Sequence, residues 1–170
     1  MDYEIIENAL TEQELEVIND HVLGYEYPWF IHPGDVTEKN SFSFLCHTLM
    51  HRNEHNLPTE GTKNSGSFEF FAAIFERLVP DYKTILRAAV NLTVHHDADT
   101  GTIHEDHPFE HKNLIIYLNE SDAGTRLYDR DNNQTAVIPA KVNTAVKFSG
   151  KHAQEFPSKG IRVVAVFTYI

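Results

Sequence analysis

The sequence has little of several residue types that would place it in a special class of protein. It contains one cysteine, Cys46, so no disulfide can form within the chain, and we expect a reducing compartment. No apolar run approaches the roughly 18 residues that a membrane span needs, and no basic N-terminal stretch leads into an apolar segment. We therefore expect neither a signal peptide nor a membrane partner, and we predict a cytoplasmic location.

Basic residues are also scarce. The chain has 14 Lys and Arg against 25 Asp and Glu, which gives a formal net charge of −11. An acidic surface repels phosphate backbones, and no Lys- or Arg-rich run offsets that repulsion. We therefore expect that nucleic acid is not a partner. Neither the charge nor the composition indicates an oligomeric state.

The 170 residues are the length of one domain, and we predict a single domain over residues 1–170. Its first part, residues 1–84, is expected to be a helical and irregular support. Thr11 and Glu14 have the spacing of a capping box, which predicts a helix that ends near Gly24. A second helix is predicted over residues 67–79, before Pro80, and residues 25–66 are expected to be irregular.

The second part, residues 85–170, has the pattern of a β-structure. Short stretches with alternating or β-branched residues are separated by turn residues, which is typical of a barrel or a two-sheet roll. The predicted strands are Arg87–Val94, Leu114–Leu118, Thr125–Tyr128, Thr135–Ile138, Thr144–Phe148 and Ile161–Ile170. The fold class is therefore mainly β with N-terminal helices.

Histidine is abundant, with 11 residues, and five of them lie between positions 95 and 111. In extended backbone His104 and Asp106 leave the same face, so both can bind one metal ion. His152, which follows the predicted strand Thr144–Phe148, is the candidate third ligand. Two histidines and one carboxylate are the facial triad of non-haem Fe(II) enzymes. His95 and Asp97 form a second His-x-Asp pair, and spacing alone does not choose between the pairs.

Arg162 shares a predicted strand face with Val164 and Val166. A guanidinium on such a face is costly to bury without an anion, and a bound dicarboxylate would satisfy it. An internal salt bridge or an exposed strand end would satisfy it equally well. Arg162 alone does not distinguish between a bound dicarboxylate, an internal salt bridge and an exposed strand end.

The order of several motifs resembles the 2-oxoglutarate/Fe(II)-dependent oxygenases of the prolyl-hydroxylase-like branch, especially the short phage and bacterial forms. The similarity covers roughly residues 85–170. The elements that carry it, in order, are His104-x-Asp106, Leu114–Asn119 (LIIYLN), Gly124-Thr125, Ile138–Lys141, Val146–Phe148, His152 and Arg162. One departure is Ala123-Gly124, where the family usually has two glycines.

The resemblance implies a double-stranded β-helix, or jelly roll, with Fe(II) bound by His104, Asp106 and His152. It implies that Arg162 pairs with the distal carboxylate of 2-oxoglutarate and that the Tyr117 hydroxyl helps to hold it. It also favours His104-x-Asp106 over the earlier pair, because the segment from Asp106 to Tyr117 has the family's usual length. For a phage-encoded chain the predicted location is the host cytoplasm.

The implied activity is that of a dioxygenase that consumes O₂ and 2-oxoglutarate and hydroxylates a substrate. A peptidyl proline or another protein side chain is the first candidate substrate, and a free amino acid or small metabolite is the alternative. Two other functions stay open: a cupin-type metal-dependent jelly-roll enzyme that does not use 2-oxoglutarate, and a non-catalytic β-roll binding protein.

Several further side chains receive expectations of their own. We expect His107 and His111 to be loop residues near the mouth of the site, not ligands, and Glu105 to lie at the surface or to contact a metal ligand. Arg87 and Asn91 share a strand face that lines either the substrate side or a solvated outer face. His95 and His96 are expected at a strand end or in a loop, where one of them can face the substrate.

Overall fold

The computed structural model describes residues 2–32 and 44–170, which form helices near the N-terminus and two antiparallel sheets. In chain order the elements are β1 (Tyr3–Glu7), α1 (Glu12–Val17) with a π-helical continuation (Ile18–Val22), β2 (Phe30–His32), β3 (Phe44–His51), β4 (Thr62–Lys63), α2 (Phe68–Leu78), β5 (Ile85–Val94), β6 (Lys112–Tyr117), β7 (Thr125–Tyr128), β8 (Gln134–Ile138), β9 (Thr144–Phe148), β10 (His152–Gln154) and β11 (Ile161–Tyr169).

The described strands form one large and one small sheet. The larger sheet has the order β1-β9-β6-β11-β5-β3-β2, with β4 added beside β3, and the smaller sheet has the order β10-β7-β8. Buried residues of β6, β9 and β11 pack against residues of β7 and β8, so the two sheets enclose a common interior. This arrangement confirms the predicted mainly β jelly roll.

The helices cover the outer face of the larger sheet. α2 buries Phe68, Phe71, Phe75 and Leu78, which recur every three or four residues and therefore lie on one side of the helix. Phe75 stacks on Phe167 of β11 with ring centroids 4.7 Å apart. The prediction of this helix is confirmed to within one residue at each end, and it stops before Pro80, as the missing N–H of proline requires.

The first helix begins where its capping box predicted. The Glu14 backbone N–H donates to the Thr11 hydroxyl oxygen at 3.2 Å, and the Thr11 backbone N–H donates to the Glu14 carboxylate at 2.8 Å. Arg77 of α2 also donates to the Glu14 carboxylate, at 2.5 Å. The cap therefore starts α1 and also joins it to the second helix.

β11 separates the two packing layers. Val163, Ala165 and Phe167 belong to the apolar core beneath the helices. Val164 and Val166 belong to the core between the sheets, and Arg162 precedes them on that inner face. The predicted alternation of this strand is confirmed.

The expectation that residues 25–66 are irregular was wrong for much of that segment. β2, β3 and β4 lie in it, and β3 pairs with β5 near the middle of the larger sheet. Polar and histidine residues interrupt the apolar pattern of β3, so its strand character comes from pairing with β5 and not from local sequence. Residues 33–43 of this segment lie outside the described residues. The short strand β10 was not predicted either.

No helix in the described ranges has the length and apolar character that spanning a membrane requires.

Candidate metal centre

A backbone bridge brings together two histidines that are far apart in the sequence. The N–H of His104 donates to the carbonyl of His152, and the N–H of His152 donates to the carbonyl of His104, both at 3.0 Å. Residues that pair in this way project to the same side, and the two imidazole centroids are 4.5 Å apart. β10 begins at His152, so this unpredicted strand positions one member of the pair.

Asp106 completes the cluster. One ligand atom from each of His104, Asp106 and His152 lies within 4.8 Å of the others. The Asp106 Oδ2 atom is buried, is 3.6 Å from His152 Nε2, and has no hydrogen-bond partner among residues 2–32 and 44–170. Nδ1 of His104 pairs with the carbonyl of Thr102 at 2.9 Å, which leaves Nε2 available. Two imidazoles and one carboxylate in this arrangement can hold a divalent cation.

The electrostatics keep Asp106 and His152 in the protonation states that metal binding needs. Burial opposes ionisation of Asp106, but His152, Arg87, His104 and Arg52 together hold its pKa well below the usual range. Burial, together with the nearby His104, lowers the pKa of His152 to about 4, against the pull of Asp106. At neutral pH the carboxylate is therefore ionised and the imidazole of His152 is neutral, as metal ligands must be.

Two arginines contact the carboxylate. Arg52 donates from Nη2 to the Asp106 backbone carbonyl at 3.0 Å and to Oδ1 at 3.1 Å. Arg87 Nη1 lies 3.7 Å from the same Oδ1. The sequence predicts that Arg87 lines either the substrate side or a solvated outer face. The contact of Arg52 with Asp106 was not predicted. Arg52 follows β3, a strand that the local pattern did not predict, so nothing in the sequence connected it with Asp106.

Arg162 is 2% exposed and has no acidic partner in the described part of the chain. Its Nη2 donates to the Thr125 hydroxyl oxygen at 2.8 Å, and the Tyr117 hydroxyl donates to the same oxygen at 2.8 Å. The guanidinium carbon lies 5.7 Å from the centre of the Tyr117 ring, and Nε is buried without a hydrogen bond. Burial lowers the pKa of Arg162, so an anion beside this side chain would remove an electrostatic cost.

One cavity joins Arg162 to the cluster. Its volume is about 940 Å³, and it is lined by all three cluster residues as well as by Arg162 and Thr125. Apolar residues of the inner sheet face, including Ile115, Val164 and Val166, form part of its wall. The sequence reading missed both Thr125 as the partner of Arg162 and Gln154, whose buried Nε2 lacks a hydrogen bond and which lines the same cavity.

The remaining histidines do not join the cluster. His107 and His111 lie in the loop that precedes β6, as expected, and they are buried there, with 3% and 5% exposure. His107 Nδ1 pairs with Asn56 Oδ1 at 2.6 Å, and its Nε2 pairs with the Thr168 hydroxyl at 2.8 Å. These contacts tie the loop after Asp106 to β11.

The competing pair His95 and Asp97 does not belong to the cluster of three, and neither His95 nor His96 lines the cavity. His95 Nδ1 pairs with the Pro157 carbonyl at 3.1 Å, and the His96 ring lies 4.8 Å from that of Phe156. Glu105 is exposed, as expected.

No protein-family model matches the sequence, and no curated protein is similar to it. Solved structures do match. An oxidoreductase of the 2OG-Fe(II) oxygenase family from Burkholderia pseudomallei is 16% identical, with a TM-score of 0.73 over 98% of this chain and 84% of that chain. A prolyl hydroxylase from Trichoplax adhaerens, in complex with a hypoxia inducible factor peptide fragment, is 13% identical, with a TM-score of 0.68 over 99% and 83%.

A viral collagen prolyl hydroxylase from Paramecium Bursaria Chlorella virus-1, solved with 2-oxoglutarate, is 14% identical, with a TM-score of 0.58 over 98% of this chain and 94% of that chain. Similarity at these identities concerns the fold, and it extends over almost the whole chain, including the half that no sequence motif covered. The chain has the jelly-roll fold that these 2-oxoglutarate/Fe(II) oxygenases share.

Proposed function

We propose that this protein is a non-haem Fe(II)- and 2-oxoglutarate-dependent dioxygenase that hydroxylates a C–H bond of its substrate. The observation that carries the proposal is one cavity that is lined by the cluster of His104, Asp106 and His152 and by a buried Arg162 that has no acidic partner within residues 2–32 and 44–170. Neither feature has an evident structural role alone. Together they provide a site for a metal ion and for a dicarboxylate beside it.

The donor set supports Fe(II). Two neutral imidazoles and one carboxylate leave open positions on a six-coordinate ion, which an oxygenase needs for its co-substrate and O₂. The unpartnered Oδ2 of Asp106 and the unpaired Nε2 of His104 are the atoms that we assign as ligands, with the imidazole of His152 as the third.

Arg162 supports 2-oxoglutarate as the co-substrate. A guanidinium can bind a carboxylate through two parallel hydrogen bonds, and the Nε of Arg162 is available for one of them. We assign the Tyr117 hydroxyl an indirect role, since its hydrogen bond goes to Thr125, which in turn accepts from Arg162. Thr125 therefore fixes the orientation of both side chains.

Fe(II) with 2-oxoglutarate and O₂ supplies oxidation of an unreactive C–H bond, with succinate and CO₂ as co-products. The protein's own part is to position and to exclude water. Arg52 restrains both the backbone and the carboxylate of Asp106, and the Thr102 carbonyl orients the His104 ring. Ile115, Val164 and Val166 keep part of the cavity wall apolar.

The alternatives differ in what they leave unexplained. A cupin-type enzyme without 2-oxoglutarate would use the cluster but leave the Arg162 guanidinium without an anion. A non-catalytic β-roll would need neither. A peptidyl proline is the first proposed substrate class, because two structural neighbours are a prolyl hydroxylase with a bound peptide and a collagen prolyl hydroxylase. A free amino acid or small metabolite is the other proposed substrate class.

The test is anaerobic titration of the protein with Fe(II) and then 2-oxoglutarate, monitored by the visible charge-transfer band of the chelate. We expect the band in the wild type, no band in His152→Ala, and a much higher 2-oxoglutarate requirement in Arg162→Ala. Release of succinate after O₂ is admitted measures turnover. His55→Ala and Arg130→Ala, which replace exposed residues outside the cavity, are matched controls.

The outcomes separate the candidate functions. Metal binding that does not respond to 2-oxoglutarate would support the cupin-type alternative. A wild-type protein that binds no divalent metal would support the non-catalytic one. A band that survives in His152→Ala would show that the cluster is not the metal site.

A further inference from the structure

We infer that the substrate carries a carboxylate and that Arg87 binds it next to the metal site. This inference rests on the proposed function and adds to it a substrate class and a residue that selects it. The observation behind it is Arg87, a cation in the cavity that is neither a proposed metal ligand nor the proposed partner of 2-oxoglutarate.

Arg87 lies on the inner face of β5 and lines the cavity. Its side chain is 18% exposed, and its Nη1 is 3.7 Å from Asp106 Oδ1, which is too far for a hydrogen bond. Arg87 makes no hydrogen bond to any residue that the structure describes. Residues 2–32 and 44–170 therefore leave the N–H groups of this guanidinium without a hydrogen-bond acceptor.

Asp106 cannot serve Arg87 as a full partner. Arg52 already donates to Oδ1 at 3.1 Å and to the backbone carbonyl at 3.0 Å. A bound metal ion would draw on the same carboxylate and add positive charge beside Arg87. The other acidic residues that line the cavity, Glu54 and Glu105, are exposed and form no ion pair with Arg87. Among the described residues, Asp106 is thus only a partial partner of this half-buried guanidinium, and a bound anion would complete its charge pairing.

The neighbouring residues of β5 indicate more about that anion. Ala89 and Asn91 follow Arg87 on the same strand face, because side chains alternate along a strand. Asn91 Oδ1 is buried, lines the cavity, and has no hydrogen-bond donor in the described residues. A ligand with a carboxylate for Arg87 and an N–H group for Asn91 would satisfy both side chains. An α-amino acid has these groups, and so does a peptide with an acidic side chain.

Arg162 does not compete for this role. Arg162 lies at one end of the pairing between β11 and β5, opposite Thr93. Arg87 lies near the other end of that pairing, opposite Thr168. Arg162 is also committed to Thr125 by a hydrogen bond of 2.8 Å. Three arginines thus line the cavity: Arg52 donates to Asp106, the proposed co-substrate occupies Arg162, and Arg87 remains for the substrate.

The experiment uses the full-length protein loaded with Ni(II) and N-oxalylglycine, a 2-oxoglutarate analogue that is not decarboxylated. Calorimetric titration compares two sets of probes with their neutral counterparts. One set is the free L-amino acids against their carboxamides, and the other is N-acetylated, amidated tripeptides that contain Asp or Glu against those with Asn or Gln.

We expect at least one acid to bind about 10-fold or more tightly than its matched amide, as a charge-assisted hydrogen-bonded pair provides. Arg87→Gln should remove that difference and leave the affinity for the amide unchanged. Arg87→Lys should restore part of it, and Arg130→Gln should change nothing. Melting temperatures and Ni(II) affinities of each variant show that the site is folded and loaded.

Binding in the first probe set would identify a free amino acid, and binding in the second an acidic side chain. The inference is wrong if no acid binds, if acids and amides bind equally, or if Arg87→Gln retains the preference. Its failure is separate from that of the proposed function. Wild-type protein that binds Ni(II) and N-oxalylglycine but does not distinguish acids from amides would remove only the carboxylate inference.

Discussion

The two faces of β11 show how one strand serves two purposes. Its outer residues, Val163, Ala165 and Phe167, are fully buried against the helices and are all apolar. Its inner face begins with Arg162 and ends with Thr168, and Val164 and Val166 lie between them. Burial of each outer residue stabilises the folded state. Burial of a guanidinium that has no acidic partner in the described residues destabilises it.

This difference separates stability from chemistry within the same sheet. The helix-covered layer buries only apolar side chains of this strand, which stabilises the fold. The interior of the roll keeps polar atoms that have no hydrogen-bond partner among the described residues, at Asp106 Oδ2, Asn91 Oδ1, Gln154 Nε2 and Arg162 Nε. Such atoms are uncommon in protein interiors and concentrate where a ligand completes them. Changes on the two sides should therefore affect different measurements.

The largest effect is expected for Asp106→Asn. The amide has the same size but no charge, so it loses the affinity for a divalent cation and leaves Arg52 and Arg87 without an anionic partner. Titration with Fe(II) or Mn(II) should show no high-affinity site, whereas Asp81→Asn, at an exposed position, should bind as the wild type does. Wild-type metal affinity in Asp106→Asn would contradict the site assignment.

The next largest effect is expected on the helix-covered face of the larger sheet, where it concerns stability. Phe75→Ala removes a fully buried ring that stacks on Phe167, and we expect it to lower the free energy of unfolding by about 3–5 kcal/mol. The metal affinity of the folded fraction should not change. Urea denaturation measures the first quantity. Val17→Ala, at a partly exposed position on α1, is the control and should cost less than about 0.5 kcal/mol.

A third prediction concerns pH. Burial, with Arg52 next in size, lowers the pKa of His107 to about 4, and burial lowers the pKa of His152 to about 4, both from 6.5. Between these values the unfolded chain binds more protons than the native state, so the metal-free protein should lose stability as the pH falls from about 6.5 to about 4. Urea denaturation at several pH values measures the slope.

The control for that slope is a variant that cannot titrate. His107→Gln can still hydrogen bond to its neighbours, so it should fold and show a shallower dependence on pH. An exposed control, His55→Gln, should retain the full dependence. Equal slopes in all three proteins would show that His107 is not neutral in the native state.

The smallest effect is expected for Arg52→Gln. Arg52 orients Asp106 but is not itself a ligand, and loss of such a supporting residue typically lowers metal affinity about 10–100-fold. The free energy of unfolding should change little, because the side chain is partly exposed. A competition titration with a metal chelator measures the affinity, and an unchanged value would show that Arg87 alone holds the carboxylate.

Local sequence was sufficient where the signal is short in range. The capping box at Thr11 and Glu14, the three- to four-residue spacing of α2 and the alternation of β11 each depend on neighbours along the chain. The same holds for His104 and Asp106, whose separation by two residues places them on one face. The candidate third ligand and Arg162 came from the order of motifs, and the structure brings all four into one cavity.

Tertiary structure alone decided what depends on pairing between distant segments. The residues determined that a His-x-Asp pair and an arginine on an apolar strand face exist, because charge and periodicity are properties of the chain itself. Backbone hydrogen bonds between remote residues decide which strands pair with β3 and β10. They therefore also decide that Arg52 reaches Asp106 and that His152 pairs with His104. Any strand can form such bonds, so their partners are not encoded in local composition.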